Sequence, residues 1–154
     1  MKKAFTMIEL IFVIVILGIL AAVALPKFLG VSKQAHEANL KSFVGTLNRT
    51  VGPTLWSKSI SSGHDGDISY TGLVYVKDNS NEQNLTTYVD IPKEIYDINL
   101  SECNDTTKFN VVGKADKGYA GADYNITCKD GNANQSPVFQ LIDSNGNVIA
   151  GPNS

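Results

Sequence analysis

Residues 5–25 are apolar at nearly every position and all the way round, interrupted only by Thr6, Glu9 and Gly18. A helix over those 21 residues, rising 1.5 Å per residue, is long enough to cross a bilayer. Past Pro26 the pattern changes. Phe28, Val31, Ala35, Ala38, Val44, Leu47, Val51 and Leu55 fall mostly three or four apart, with Lys33, Gln34, Glu37, Asn39, Lys41 and Asn48 between them. That spacing predicts an amphipathic helix with one stripe to bury. Pro26 removes a backbone donor and its ring crowds the preceding turn, so a kink is expected there rather than a stop. Gly52-Pro53 is a breaker; the helix is expected to end nearby, or to bend and fade by about Ser59. Gly18 lets a neighbouring helix approach closely.

Residues 57–67 are polar and rich in Ser and Gly, which predicts a loop. Alternation then predicts a strand over 68–76, a polar turn over 77–83 and a strand or extended edge over 85–91. Residues 92–98 predict a short helical turn with Pro92 at its first position. Further strands are expected over 108–112, 122–128, 137–142 and 148–150, the last two joined by an Asp143-Ser144-Asn145-Gly146-Asn147 hairpin turn. Together these predict an α+β chain. A leader occupies 1–4, an apolar membrane helix 5–25, its amphipathic half 26–56, and a small antiparallel sheet domain of about four strands 57–154.

Composition narrows the classes. A hydrophobic content of 43% with 18% charged residues suits a folded domain. A formal net charge of −2 and a sequence pI near 5.6 supply no basic footprint for nucleic acid. Cys103 and Cys128 are the two cysteines, and downstream of an export segment they are expected to form a disulfide. Two buried thiols or a metal pair are the alternatives; without a C-x-x-C, and with His36 and His64 distant in sequence, zinc is disfavoured. No G-x-S-x-G, P-loop or H-E-x-x-H occurs, so nothing here supports an enzyme.

The residue that needs a reason is Glu9. A carboxylate at bilayer depth costs roughly 2.5–3.5 kcal/mol on insertion scales, and such groups usually have a partner. Lys2-Lys3-Ala4-Phe5-Thr6-Met7-Ile8-Glu9-Leu10, the apolar run after it and Pro26 closely resemble the N-terminus of type IV pilins and of type II secretion pseudopilins. The resemblance implies a long helix on an antiparallel sheet, and cleavage between Ala4 and Phe5 by a prepilin peptidase that also N-methylates Phe5. Ala4 stands where that family usually has Gly. It also implies a structural subunit, held in the inner membrane with its C-terminal domain periplasmic and polymerised by a membrane assembly platform. In the resulting filament Glu9, beside Phe5 and Thr6, would pair with the amino terminus of a neighbour. A pseudopilin is the alternative within the resemblance. A different reading takes Ala22-Val23-Ala24 as a signal-peptidase site that frees a soluble periplasmic domain.

Other candidate sites favour ordinary chemistry. His36 is expected on the solvated face of its helix, and His64-Asp65-Gly66-Asp67 as a turn rather than a cation site. Residues 130–134 and 143–147 echo the start of a calcium loop, D-x-[DN]-x-[DN], yet neither has Gly sixth or Glu twelfth, so turns are expected. No cofactor is implied, with calcium in these loops as the exception to test. The glycosylation acceptor N-x-[ST] occurs at Asn48, Asn84, Asn99, Asn104 and Asn125. Glu82, Asp97, Glu102 and Asp123 stand two places before the last four, matching an extended acceptor used by some bacterial oligosaccharyltransferases. Chance predicts on the order of 0.2 such matches in this composition. Glycosylation of the exported domain at some of these sites is therefore expected.

Overall fold

The computed structural model describes residues 5–79 and 84–152, and for positions 27–29 the backbone alone. The leader at 1–4 and the end of the polar turn, with Glu82, lie outside the described residues. The chain divides into two units, Met1–Ala35 and His36–Ser154. Helix α1, Met7–Thr46, starts in the first and continues through Pro26 without a break in its helical backbone.

In the second unit the end of α1 buries Leu40, Phe43 and Val44. A π turn over Leu47–Val51 follows, with the Gly52 N–H reaching back to the Leu47 carbonyl, and then α2, Gly52–Ser61. The breaker therefore does not end the helix at Gly52-Pro53. Pro53 has no N–H to give and its ring would crowd an α turn; the wider π turn takes in one extra residue and accommodates it. Leu40, Val44, Leu47, Val51 and Leu55 form the buried stripe. It starts later than the spacing predicts, because Val31, Ala35 and Ala38 are exposed and Leu40 and Phe43 carry the core instead.

The stripe packs on a six-stranded antiparallel meander, more strands than expected, in the order β1 (Val74–Val76), β2 (Ile95–Asn99), β3 (Asn110–Ala115), β4 (Tyr124–Lys129), β5 (Val138–Asp143), β6 (Val148–Ala150). Alternate residues Tyr124, Ile126 and Cys128 on β4 and Phe139 and Leu141 on β5 join the helix residues in one core. Asn48 fastens helix to sheet: its Nδ2 donates to the Phe139 carbonyl at 2.8 Å and its Oδ1 accepts the Phe139 N–H at 2.8 Å. The β5–β6 turn forms as expected, Asp143 accepting the amides of Asn145 and Asn147 while Gly146 takes φ +83°.

Three local expectations fail, each because tertiary partners outweigh pattern. Only the last three residues of 68–76 are strand; Ser69–Thr71 is a 3₁₀ turn, and Gly72 at φ +59° redirects the chain. Asn84–Thr87 is a 3₁₀ turn rather than an edge, because the Asn84 side chain accepts the Val74 N–H at 2.6 Å and caps the start of β1. Residues 92–98 are not helical: Ile95 and Ile98 bury into the core, and β2 pairs on both sides. Helix α3, Lys117–Ala120, adds an element that the alternation does not predict; Asp116 is its N-cap and Gly121 its left-handed C-cap. The loop of residues 57–67 is shorter too, since its first five residues belong to α2.

Cys103 and Cys128 are joined by a disulfide, fully buried, with 5.3 Å between their Cα atoms. It ties the turn after β2 to β4.

Candidate functional site

The first turn of α1 brings Phe5, Thr6 and Glu9 together. Thr6 precedes the helix, and its Oγ1 accepts the Glu9 N–H at 3.3 Å. In return Glu9 Oε2 accepts the Thr6 N–H at 3.3 Å and the Thr6 hydroxyl at 3.1 Å. This is a capping box, Thr-x-x-Glu, satisfying two donors that the start of a helix leaves open. The carboxylate also sits at the positive end of the helix dipole. Among the described residues Glu9 Oε1 takes no hydrogen bond. One oxygen caps its own helix; the other is open to a cation. The T-x-x-E spacing was readable in the sequence, which pointed to the acid but not to this local partner.

Around Glu9 the helix is bare. Phe5, Glu9, Leu10, Val13 and Ile14 line a shallow groove along it. From Phe5 at 85% to Ile16 at 41%, every large apolar side chain through Leu25 stands open. Fifteen such side chains in water would cost on the order of 20 kcal/mol or more, at 1.5–3 kcal/mol each. By length and composition this helix can cross a membrane. Pro26 lies inside α1, beyond the apolar run, and Ala4 lies outside the described residues.

The other candidates sit in the second unit and do not converge. His36 corrects its expectation. Rather than facing solvent, its Nδ1 lies 2.7 Å from Glu94 Oε1, a carboxylate only 1% exposed that also accepts Asn39 Nδ2 at 3.0 Å. Burial pushes the Glu94 carboxyl up, but the Asn39 and His36 contacts outweigh it and hold it below its usual value. His64 stacks on Tyr70 with ring centroids 3.8 Å apart. Asp67 accepts the Ser69 amide and hydroxyl, both at 2.7 Å, in an ordinary turn.

Both calcium-loop echoes are turns. Asp130 spends its Oδ1 on the amides of Ile68 and Gly131, and Asp143 is taken up by Asn145 and Asn147. Among the described residues no three metal-ligating side chains gather. Burial pushes the Asp130 carboxyl up to about 7, aided by its hydrogen bond to Asp67. Tyr124 is pushed up to about 12, first by burial and then by donating to Glu37 Oε2 at 2.9 Å.

An apolar helix that opens with Thr-x-x-Glu, in a chain whose second half is a disulfide-closed antiparallel sheet under the helix's continuation, is a pilin-like α+β arrangement. Residues 1–25 match the family model described as the prokaryotic N-terminal methylation motif. Over 38 residues the chain is 55% identical to the type IV narrow pilus major component PilA5 of Thermus thermophilus. That match covers 25% of this chain and 33% of the relative, so it spans about a third of the relative's length. No solved structure gives a significant match.

Proposed function

We propose that the chain is a structural subunit of a type IV pilus-like filament and not an enzyme. Prepilin peptidase removes residues 1–4 and methylates the new amino terminus at Phe5. Until assembly, residues 5–25 hold the subunit in the inner membrane with residues 36–154 in the periplasm. The assembly platform then exchanges lipid around the helix for the helices of neighbours, giving a filament at the cell surface. Lipid and helix are equally apolar, so this exchange alone does not choose a register. The charge does: a Glu9 carboxylate in that setting is strongly favoured next to a neighbour's Phe5 ammonium and strongly disfavoured alone. Pro26 serves as the bend that frees the apolar run to pack among neighbours.

One observation carries this reading. Glu9 is the single charged side chain of residues 5–25, and among the described residues its capping box leaves one carboxylate oxygen open. Replacing Glu9→Gln keeps an acceptor for Thr6 and removes the charge; Glu9→Val removes both. Both variants are expected to insert in the membrane and be cleaved, and neither to yield ordered filaments. Normal filament yield from Glu9→Gln would refute the register role. N-terminal sequencing of the exported protein separates the remaining readings: methylated Phe5 supports a pilin or a secretion pseudopilin, Leu25 a freed periplasmic domain. Electron microscopy of surface-sheared filaments containing the protein, against their absence with intact protein secretion at stake, distinguishes pilus from pseudopilus.

A further inference from the structure

We infer that Asn104 is an N-glycosylation site, the one of the four extended acceptors that the folded domain offers to a glycosyltransferase. The reaction needs the acceptor amide, the hydroxyl two places on and the acid two places before to enter an enzyme cleft together. At Glu102, Asn104 and Thr106 all three side chains are exposed. Asn104 Oδ1 accepts Asn110 Nδ2 at 2.9 Å, which leaves its own Nδ2, the reacting atom, with no acceptor among the described residues. The segment stands on a fixed base. Cys103 is bonded to Cys128, the Asp105 carbonyl accepts the Asp130 N–H at 2.8 Å, and the Asp105 carboxylate caps the amides of Thr107 and Lys108.

The other three acceptors are built into the fold. Thr127, the hydroxyl for Asn125, is 4% exposed in the middle of β4. Asn99 pairs with Val74 in the sheet and caps the following turn by accepting the Ser101 N–H at 3.0 Å, with both side chains half-buried. Asn84 is exposed, but its Nδ2, the atom that would react, already donates to the Gly72 carbonyl at 3.3 Å while its Oδ1 accepts the Val74 N–H at 2.6 Å, so both ends of the amide are held against the chain. Among the described residues Asn104 alone has its acid, its amide and its hydroxyl exposed together, with the reacting nitrogen turned to no acceptor.

In the step, Asn104 Nδ2 forms a bond to the anomeric carbon of a sugar carried on a polyprenyl diphosphate lipid. The carbon–oxygen bond to the diphosphate breaks, the lipid diphosphate leaves with the electron pair, and the amide gives up one proton to a base of the transferase. The inference requires that residues 36–154 be exported, which the proposed function supplies; it does not require filaments.

The test is a peptide map, without reduction, of the mature protein from its native host. Trypsin leaves residues 94–108 and 118–129 as a disulfide-linked pair that carries Asn99, Asn104 and Asn125, and fragmentation assigns the site. The expected result is added hexose or hexosamine mass on Asn104, lost in Asn104→Gln and in Thr106→Ala and retained in Thr106→Ser, with Asn125 bare. A disulfide-linked pair with bare Asn104 overturns the inference while leaving export and the filament reading intact. So does added mass that persists in Asn104→Gln.

Discussion

Breaking the Cys103–Cys128 bond is expected to cost the globular domain a calculable amount. The bond spans 25 residues of sequence. In the chain-entropy treatment, closing such a loop removes about 12 cal/mol/K from the unfolded ensemble, or about 3.5 kcal/mol at 25 °C. The second unit holds about 120 residues, and at about 2.1 cal/mol/K per residue its unfolding entropy is about 250 cal/mol/K. The loss therefore appears as a fall in Tm of about 14 °C. Both sulfurs are fully buried, so Cys103→Ala with Cys128→Ala adds the cost of two small cavities and should fall further than reduction alone. Reduction keeps both sulfurs and isolates the loop contribution. The assay is thermal and urea unfolding of the full chain in detergent, followed by near-ultraviolet circular dichroism, oxidised against reduced. An unfolded chain freed of its cross-link exposes more surface, so the urea m-value should rise on reduction. A Tm within 3 °C of the oxidised protein and an unchanged m-value, or a fall confined to the alanine pair, would show that the bond does not act through the unfolded chain.

Two further predictions rest on buried carboxyls. Glu94→Ala should destabilise the domain by about 2–3 kcal/mol at pH 7, since it removes the acceptor shared by His36 and Asn39. Because the folded Glu94 carboxyl lies below its usual value, that contribution is present above about pH 4.5 and fades as the pH falls through the folded value; the difference between variant and parent in urea midpoint should shrink accordingly. Asp130 has the opposite sign. Its folded carboxyl is raised to about 7 against 3.8, so its contribution is full below about pH 4 and is lost as the pH rises through 7. Asp130→Asn keeps an oxygen for the Ile68 and Gly131 amides and does not titrate. The parent's Tm should therefore fall from pH 5 to pH 8 relative to the variant's, and parallel curves would contradict the assignment.

The sequence alone determined the parts of this protein whose physics is local or one-dimensional. A run of apolar residues long enough for a bilayer, an acid out of place within it, a Thr three residues ahead and an Asn-Gly between two apolar stretches all act through neighbours in the chain. The motif at residues 1–25 is legible for that reason. Tertiary structure decided what depends on distant partners. Whether Gly52-Pro53 stops a helix turned on the π turn before it and on the sheet under Leu47, Val51 and Leu55. Whether residues 92–98 coil or extend turned on strands either side of β2. His36 reads as a solvated helix residue until Glu94, 58 positions away, is folded against it. Four acceptor asparagines look alike in sequence, and strand pairing, burial and the hydrogen bonds that hold Asn84 set Asn104 apart, because exposure and partners are properties of the packed molecule and not of any tripeptide.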